Sequence, residues 1–269
     1  MGTQITVKRL TGAIGAEVRG VNLNRSLDDD SFTAIHRAFL DHCILVFRGQ
    51  FLDPAAQTAF AQRWGRLFRS PYLKQLEIPD HPEVMAQPNR GKADSFTTEI
   101  WHSDQSFMPA PPAHSILAAQ VVPEAGGDTM FASQYLAYET LSEGMKHLLK
   151  ELRALHRGAN LALQVGVEDS VPPQSHPIVR THPETGRKGL FVNRLYTYCI
   201  EGLTEAESRG LLDFLFEQNC RPEFTYRHQW APGDVIMWDN RCALHYAVHD
   251  YGEAPRLMHR TIVAGDIPR

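Results

Sequence analysis

Apolar positions change their period along the chain. Phe32, Ile35, Ala38 and Phe39 recur at helical spacing behind the acidic run Asp28 to Asp30, which predicts a helix. The unbroken apolar run Cys43-Ile44-Leu45-Val46-Phe47 then predicts a buried strand. Asp53-Pro54 has the form of an N-cap with proline at the first helical position, opening a second helix through Phe60 that ends near Gly65. Met145, Leu148, Leu149 and Leu152 mark a helix after Ser142, and Thr204 with Glu207 makes a capping box for a helix carrying Leu211, Leu212, Leu215 and Phe216. Residues 114–122, 190–193, 224–230, 234–238 and 257–264 are short β-rich runs separated by Pro, Gly and Asn. Two stretches lose their period. Residues 87–99 are expected to form a mobile lid just before Trp101-His102, and residues 158–174 a second aperiodic segment able to cover a site. Helices come early and strands late, without βαβ alternation. The fold class that follows is α+β, mainly β: an antiparallel sandwich or barrel with flanking helices.

Bulk properties narrow the function classes. The 269 residues, 43% of them hydrophobic, suffice for one large domain spanning residues 1–269. A net charge of -4 with scattered basic residues offers no long-range attraction to nucleic acid. The first nine residues are polar and β-prone, unlike a signal peptide, and no window approaches a membrane span, so a cytoplasmic protein without membrane attachment is expected. Cys43, Cys199, Cys220 and Cys242 show no CxxC spacing and are read as reduced thiols.

The candidate chemistry begins at His102-Ser103-Asp104. On an extended strand, positions i and i+2 point to one face, which suits two ligands of one metal ion. The pattern alone decides little: thirteen His among thirty-one acidic residues produce His-x-acid about 1.5 times by chance. Three copies occur, and His81-Pro-Glu83 and His182-Pro-Glu184 carry a central proline that favours a turn. Only the copy at Ser103 fits a strand. Trp101 and Phe107 flank it as apolar shields. A third ligand must come from a later strand, where His245 and His249 compete. Arg256 and Arg260 share parity on the 257–264 strand, so both are expected to face inward. Buried guanidinium groups need anions, and no nearby acidic residue but Glu253 is placed to serve. These two arginines are therefore expected to hold ligand anions.

At this point the chain resembles the TauD/TfdA-type dioxygenases. The likeness runs through Thr11-Gly-Ala-Ile-Gly-Ala-Glu-Val-Arg-Gly-Val21, Trp101-His-Ser-Asp-Gln-Ser-Phe107, Gly126-Gly-Asp-Thr129, Phe191-Val-Asn193, Trp238-Asp-Asn-Arg241, His245-Tyr246, and Arg256-Leu-Met-His-Arg260 through Gly265-Asp266. The resemblance implies a double-stranded β-helix (jelly-roll, cupin-like) core. It implies iron(II) held by His102, Asp104 and His245, with 2-oxoglutarate as cosubstrate and O2 as oxidant. It implies that Arg256 and the Thr129 hydroxyl hold the distal carboxylate of 2-oxoglutarate, and that Arg260 meets a small anionic substrate: a carboxylate, sulfonate or sulfate ester. The implied reaction oxidises that substrate, in the first instance by hydroxylation, and releases succinate and CO2. Taurine-specific members carry a second anion-binding His before the proline that corresponds to Pro71, and this chain has Ser70 there, which argues against taurine itself. Ser70, Phe107 and Tyr196, with Met108, are expected to wall the substrate site. A homo-oligomer, dimer or tetramer, is also expected.

Two other classes use the same residues differently. A zinc hydrolase would need a carboxylate base beside the metal water and would ignore 2-oxoglutarate. A non-catalytic β-sandwich protein would use the arginines to capture an anion and take up no stoichiometric iron.

Overall fold

The predicted helices form where their caps are. In the computed structural model, which describes residues 5–89 and 98–269, Asp28 accepts from Ser31 N at the start of α1 (Asp29–His42) and Asp53 caps α2 (Pro54–Gln62). Between them lies the Ile44–Phe47 strand, buried at every residue. Its side chains alternate between two cores. Leu45 and Phe47 pack with Ile35, Phe39, Phe60 and Ala61 of the two helices, while Ile44 and Val46 turn the other way. A strand covered on both faces loses the alternation of a half-buried one, hence its continuous apolar run.

That strand belongs to an eight-stranded sheet in the order Thr6–Arg9, Ala16–Arg19, Ile44–Phe47, Val235–Asp239, His114–Val121, Leu257–Val263, His81–Pro88, Glu77–Ile78. Its pairings are antiparallel except that of Ala16–Arg19 with Ile44–Phe47. A second sheet of three strands, Thr225–His228, Thr129–Ser133 and Ala243–Ala247, faces it. Phe131 and Ala243 of the small sheet share a core with Val46, Leu117, Ile236 and Trp238 of the large one. Two antiparallel sheets around a common core make the double-stranded β-helix. A third core forms where the Gln134–Glu139 and Glu205–Asn219 helices pack on short strands, with Leu149, Leu190, Leu212 and Leu215 buried in it.

Several local expectations shift. Residues 158–174 hold a helix, Ala159–Val165, which starts at Gly158 without a side-chain cap. A Cβ on Gly158 would lie 2.9 Å from the Phe107 ring, so close packing rather than capping selects that residue. The strand expected at 190–193 lies at Lys188–Leu190, paired as a hairpin with Val179–Thr181. Of the lid expected over 87–99, residues 90–97 lie outside the described residues, and Gln87 and Pro88 end the His81–Pro88 strand. All four cysteines carry free thiols. Among the described residues no helix is long and apolar enough to cross a membrane.

Candidate active site

His102 and His245 are brought together by backbone geometry. Each donates its amide hydrogen to the other's carbonyl, at 3.0 and 2.8 Å, in an isolated antiparallel bridge. Residues 102–104 are thus not the continuous strand expected: His102 is a single bridge residue and the chain turns at Asp104. The turn achieves what a strand face would have. One ligand atom each from His102, Asp104 and His245 lies within 4.8 Å of the others, and all three residues are buried. His249 is excluded from this trio; its Nε2 lies 2.8 Å from Thr98 Oγ1 and its ring stacks on Tyr251.

The ligand-bearing groups are oriented by neighbours. His102 Nδ1 donates to the Ile100 carbonyl at 2.6 Å, which leaves the Nε2 lone pair for a metal. His245 is aimed by its backbone bridge and by the Trp238 ring at 4.8 Å, with Nε2 3.6 Å from Asp104 Oδ1. Asp104 Oδ2 accepts from Ser115 Oγ at 2.6 Å and from Arg260 Nη2, leaving Oδ1 on the histidine side. Asn240 ties this together. Its Oδ1 accepts from Asp104 N and Trp238 Nε1, and its Nδ2 donates to Ser115 Oγ.

The charges follow from this arrangement. Burial alone would raise the Asp104 pKa, but the Arg260 guanidinium outweighs it and holds the carboxyl well below its usual range. Burial pushes His102 and His245 down, against the pull of Asp104, so both rings are neutral and their lone pairs available. Two imidazole nitrogens and one monodentate carboxylate oxygen form the donor set suited to iron(II) with open positions.

The same cavity gathers most of the remaining candidates. Its wall includes Leu117, Trp238 and Arg260 from the large sheet and Thr129 and His245 from the small one. Arg256 and Tyr196 also line it. Arg256 precedes the Leu257–Val263 strand, whose register shifts between Leu257 and Met258. Its guanidinium lies over Tyr251 at 5.6 Å. The left-handed turn residue Gly127 (φ 72°) lets it approach: a Cβ there would sit 3.3 Å from Arg256 Nε. Thr129 Oγ1 accepts from Trp230 Nε1 at 3.0 Å. Arg260 departs from expectation, since its charge already has a protein partner in Asp104, 156 residues earlier.

Ser70 and Phe107 do not line the cavity. Ser70 is buried behind Gln105, and Phe107 is buried behind Tyr196 with ring centroids 5.0 Å apart. Trp101 packs on Tyr246 at 5.6 Å. Ser115, Asn240 and Gln105 were missed by sequence reasoning. Ser115 had a signal, a small hydroxyl at the head of the apolar run 116–119; Asn240 was readable only as a turn residue.

Comparison with known proteins points to one family. A profile of the taurine catabolism dioxygenase TauD, TfdA family matches residues 6–262. The chain is 36% identical to an alkylsulfatase of Acinetobacter baylyi, over 98% of this chain and 86% of that one. It is 34% identical to an (S)-phenoxypropionate/alpha-ketoglutarate dioxygenase of Sphingobium herbicidovorans, over 99% and 97%. Among solved structures, a taurine dioxygenase from Burkholderia xenovorans superposes with a TM-score of 0.86 at 36% identity, covering 98% of this chain and 92% of that one.

Proposed function

The chain belongs to the TauD, TfdA dioxygenase family, and from that premise we propose that this iron(II)- and 2-oxoglutarate-dependent dioxygenase oxidises a small organic anion, a sulfate ester, sulfonate or carboxylate on an apolar body. The observation that carries the reading is the convergence of His102, Asp104 and His245 with Arg256, Thr129 and Arg260 on one cavity. Iron(II) with 2-oxoglutarate and O2 supplies the oxidising power, the cosubstrate leaving as succinate and CO2 while the organic anion is oxygenated.

The protein's own part is binding, orientation and exclusion of water. His102, Asp104 and His245 would hold the metal on one side and leave the cavity side open. Arg256 and the Thr129 hydroxyl are assigned to the distal carboxylate of 2-oxoglutarate, the guanidinium through charged hydrogen bonds worth about 1.5–3 kcal/mol each. Arg260 is shared: Nη2 steadies Asp104, and the rest of the guanidinium is assigned to the substrate anion. Tyr196, Leu161 and Val165 supply the apolar wall against which the substrate body packs. The relatives' names support an anionic substrate, since alkyl sulfates and phenoxypropionate are such anions. The dioxygenases among them favour oxidation over the hydrolase and the non-catalytic reading. Assembly as a homo-oligomer and residence in the cytoplasm belong to the same proposal.

Anaerobic protein given iron(II) and 2-oxoglutarate is expected to show a weak visible charge-transfer band. His245→Ala abolishes it and His249→Ala retains it, whereas Arg256→Ala restores it only at tenfold or more 2-oxoglutarate, roughly the loss of one charged hydrogen bond. No band in metal-loaded wild type would sink the cofactor assignment, and the opposite pattern in the two histidine variants would reassign the ligands.

A further inference from the structure

We propose that Gln105 is a substrate-recognition residue whose side-chain NH2 donates to the oxyanion of the organic substrate, and that Ser70 is the residue that positions it. The inference rests on the anionic-substrate reading above and deepens it.

Gln105 follows Asp104 directly and lines the cavity beside Leu161, Val165 and Tyr196. It is one of three non-glycine residues with positive φ among the described residues, at 43°. A side chain without glycine's freedom pays in backbone strain for that conformation, and such strain persists where the surroundings enforce it. Here Met108 N donates to the Gln105 carbonyl at 2.9 Å and closes the turn. The residue is only 3% exposed, so its amide is a polar group with little access to bulk water whose two ends need partners.

One end is accounted for. The Ser70 hydroxyl accepts from Tyr72 N at 3.2 Å and donates to Gln105 Oε1 at 2.7 Å. With the amide rotated by half a turn, Ser70 would accept from both Nε2 and Tyr72 N, and its own proton would need another acceptor. In the structure the Ser70 proton goes to Oε1, and that hydrogen bond sets which end is which. Oε1 points back to Ser70, and Nε2 is the end presented to the cavity. A bare NH2 against aliphatic and aromatic walls is costly unless a ligand acceptor meets it. Arg260 bonds Asp104 and lines the same cavity as Gln105, so a positive charge and a neutral donor face one space. An oxyanion entering there is matched by both, and a neutral or cationic head group by neither. Ser70, which the sequence places in the substrate wall, acts one step behind it.

Calorimetric titration of protein loaded with Mn(II) and 2-oxoglutarate tests this, using hexyl sulfate and 2-phenoxypropionate as probes. Wild type is expected to bind at least one of them. Gln105→Leu weakens that probe roughly 10- to 100-fold, the loss of one hydrogen bond to a charged group, and Gln105→Glu weakens it further by repulsion. Ser70→Ala weakens it less, and costs nothing more in the Gln105→Leu background, because its effect runs through the amide. Affinity for 2-oxoglutarate stays within about twofold throughout if only this contact is touched. Probe affinity unchanged in Gln105→Leu and Gln105→Glu overturns the donor assignment alone. An added loss from Ser70→Ala in the Gln105→Leu background overturns the positioning role. Wild type that binds neither probe overturns the anionic-substrate reading, and the donor assignment with it.

Discussion

Two buried clusters in this molecule have nearly the same parts and opposite uses. One is His102, Asp104 and His245 with Arg260; the other is His182, Asp239 and Cys242 with Arg241. In both, a fully buried aspartate is held ionised by an arginine. The difference is how many carboxylate oxygens the arginine takes. Arg241 grips both, Nε to Oδ1 at 2.9 Å and Nη2 to Oδ2 at 2.7 Å, while His182 Nε2 donates to Oδ2 at 3.0 Å. Glu184 completes that lock on Arg241 Nη1, and His182 Nδ1 accepts from the amides of Glu184 and Thr185. The carboxylate oxygens of Asp239 and the ring nitrogens of His182 are thereby occupied. Arg260 touches only Oδ2 of Asp104, so Oδ1 stays open toward two neutral imidazoles. The arginine's reach thus decides whether a His-Asp cluster keeps a carboxylate oxygen free for a metal or closes as a structural latch.

The largest effect is expected from opening the latch. Arg241→Ala leaves Asp239 buried and uncompensated, costing about 3–5 kcal/mol, or roughly 10 °C or more in Tm for a chain of this size. Circular-dichroism melting checks it, and an unchanged Tm would dissolve the distinction. On the other side, iron(II) at a hundredfold excess over Kd should raise the Tm of wild type and of Arg241→Ala alike, by a stabilisation of about 2.7 kcal/mol. Asp104→Asn should abolish that rise, and Ser115→Ala should weaken metal binding roughly 10- to 100-fold by releasing Oδ2. A metal-induced rise that survives in Asp104→Asn would mean the ion sits elsewhere.

The smallest effect concerns pH. His114 lies 4.0 Å from Asp239, and burial pushes its pKa down to about 4. The unfolded chain takes up this proton below about 6.5 while the folded chain refuses it until about 4. Stability contributed by the neutral ring is therefore whole above the unfolded value and declines as pH falls through that window. His114→Gln should make the dependence of urea midpoints on pH shallower, by roughly 1.4 kcal/mol per pH unit between those limits. An equal slope in wild type and variant would remove His114 from the account.

The contrast between the clusters also marks what the sequence could reveal. Helices announced themselves through local chemistry: Asp28, Asp53, Ser142 and Thr204 each accept from the backbone as caps. Central strands showed as apolar runs because both of their faces are covered. The Ala159–Val165 helix stayed hidden, since Gly158 carries no cap and tertiary contact with Phe107 holds it. Position 102 was expected on a strand, and its geometry comes instead from a bridge to a residue far along the chain. His182-Pro-Glu184 was set aside as a ligand pair because proline favours a turn, and the turn is what lets His182 and Glu184 close on Asp239 and Arg241. Partners such as Ser115 and Asn240 are invisible until the sheets assemble, because a hydroxyl or amide gains its meaning only from what lies across from it.

The bridge between His102 and His245 has a consequence for biosynthesis. A ribosome releases His102 and Asp104 long before the strand carrying His245 and the one carrying Arg260. Until those strands arrive, the His102 amide and carbonyl lack the partners that set its direction, and Asp104 lacks the cation that keeps it ionised in the interior. An unfinished chain would accordingly offer iron little purchase, and a redox-active ion held by these residues would be captured only once the surrounding walls exist to contain what it does.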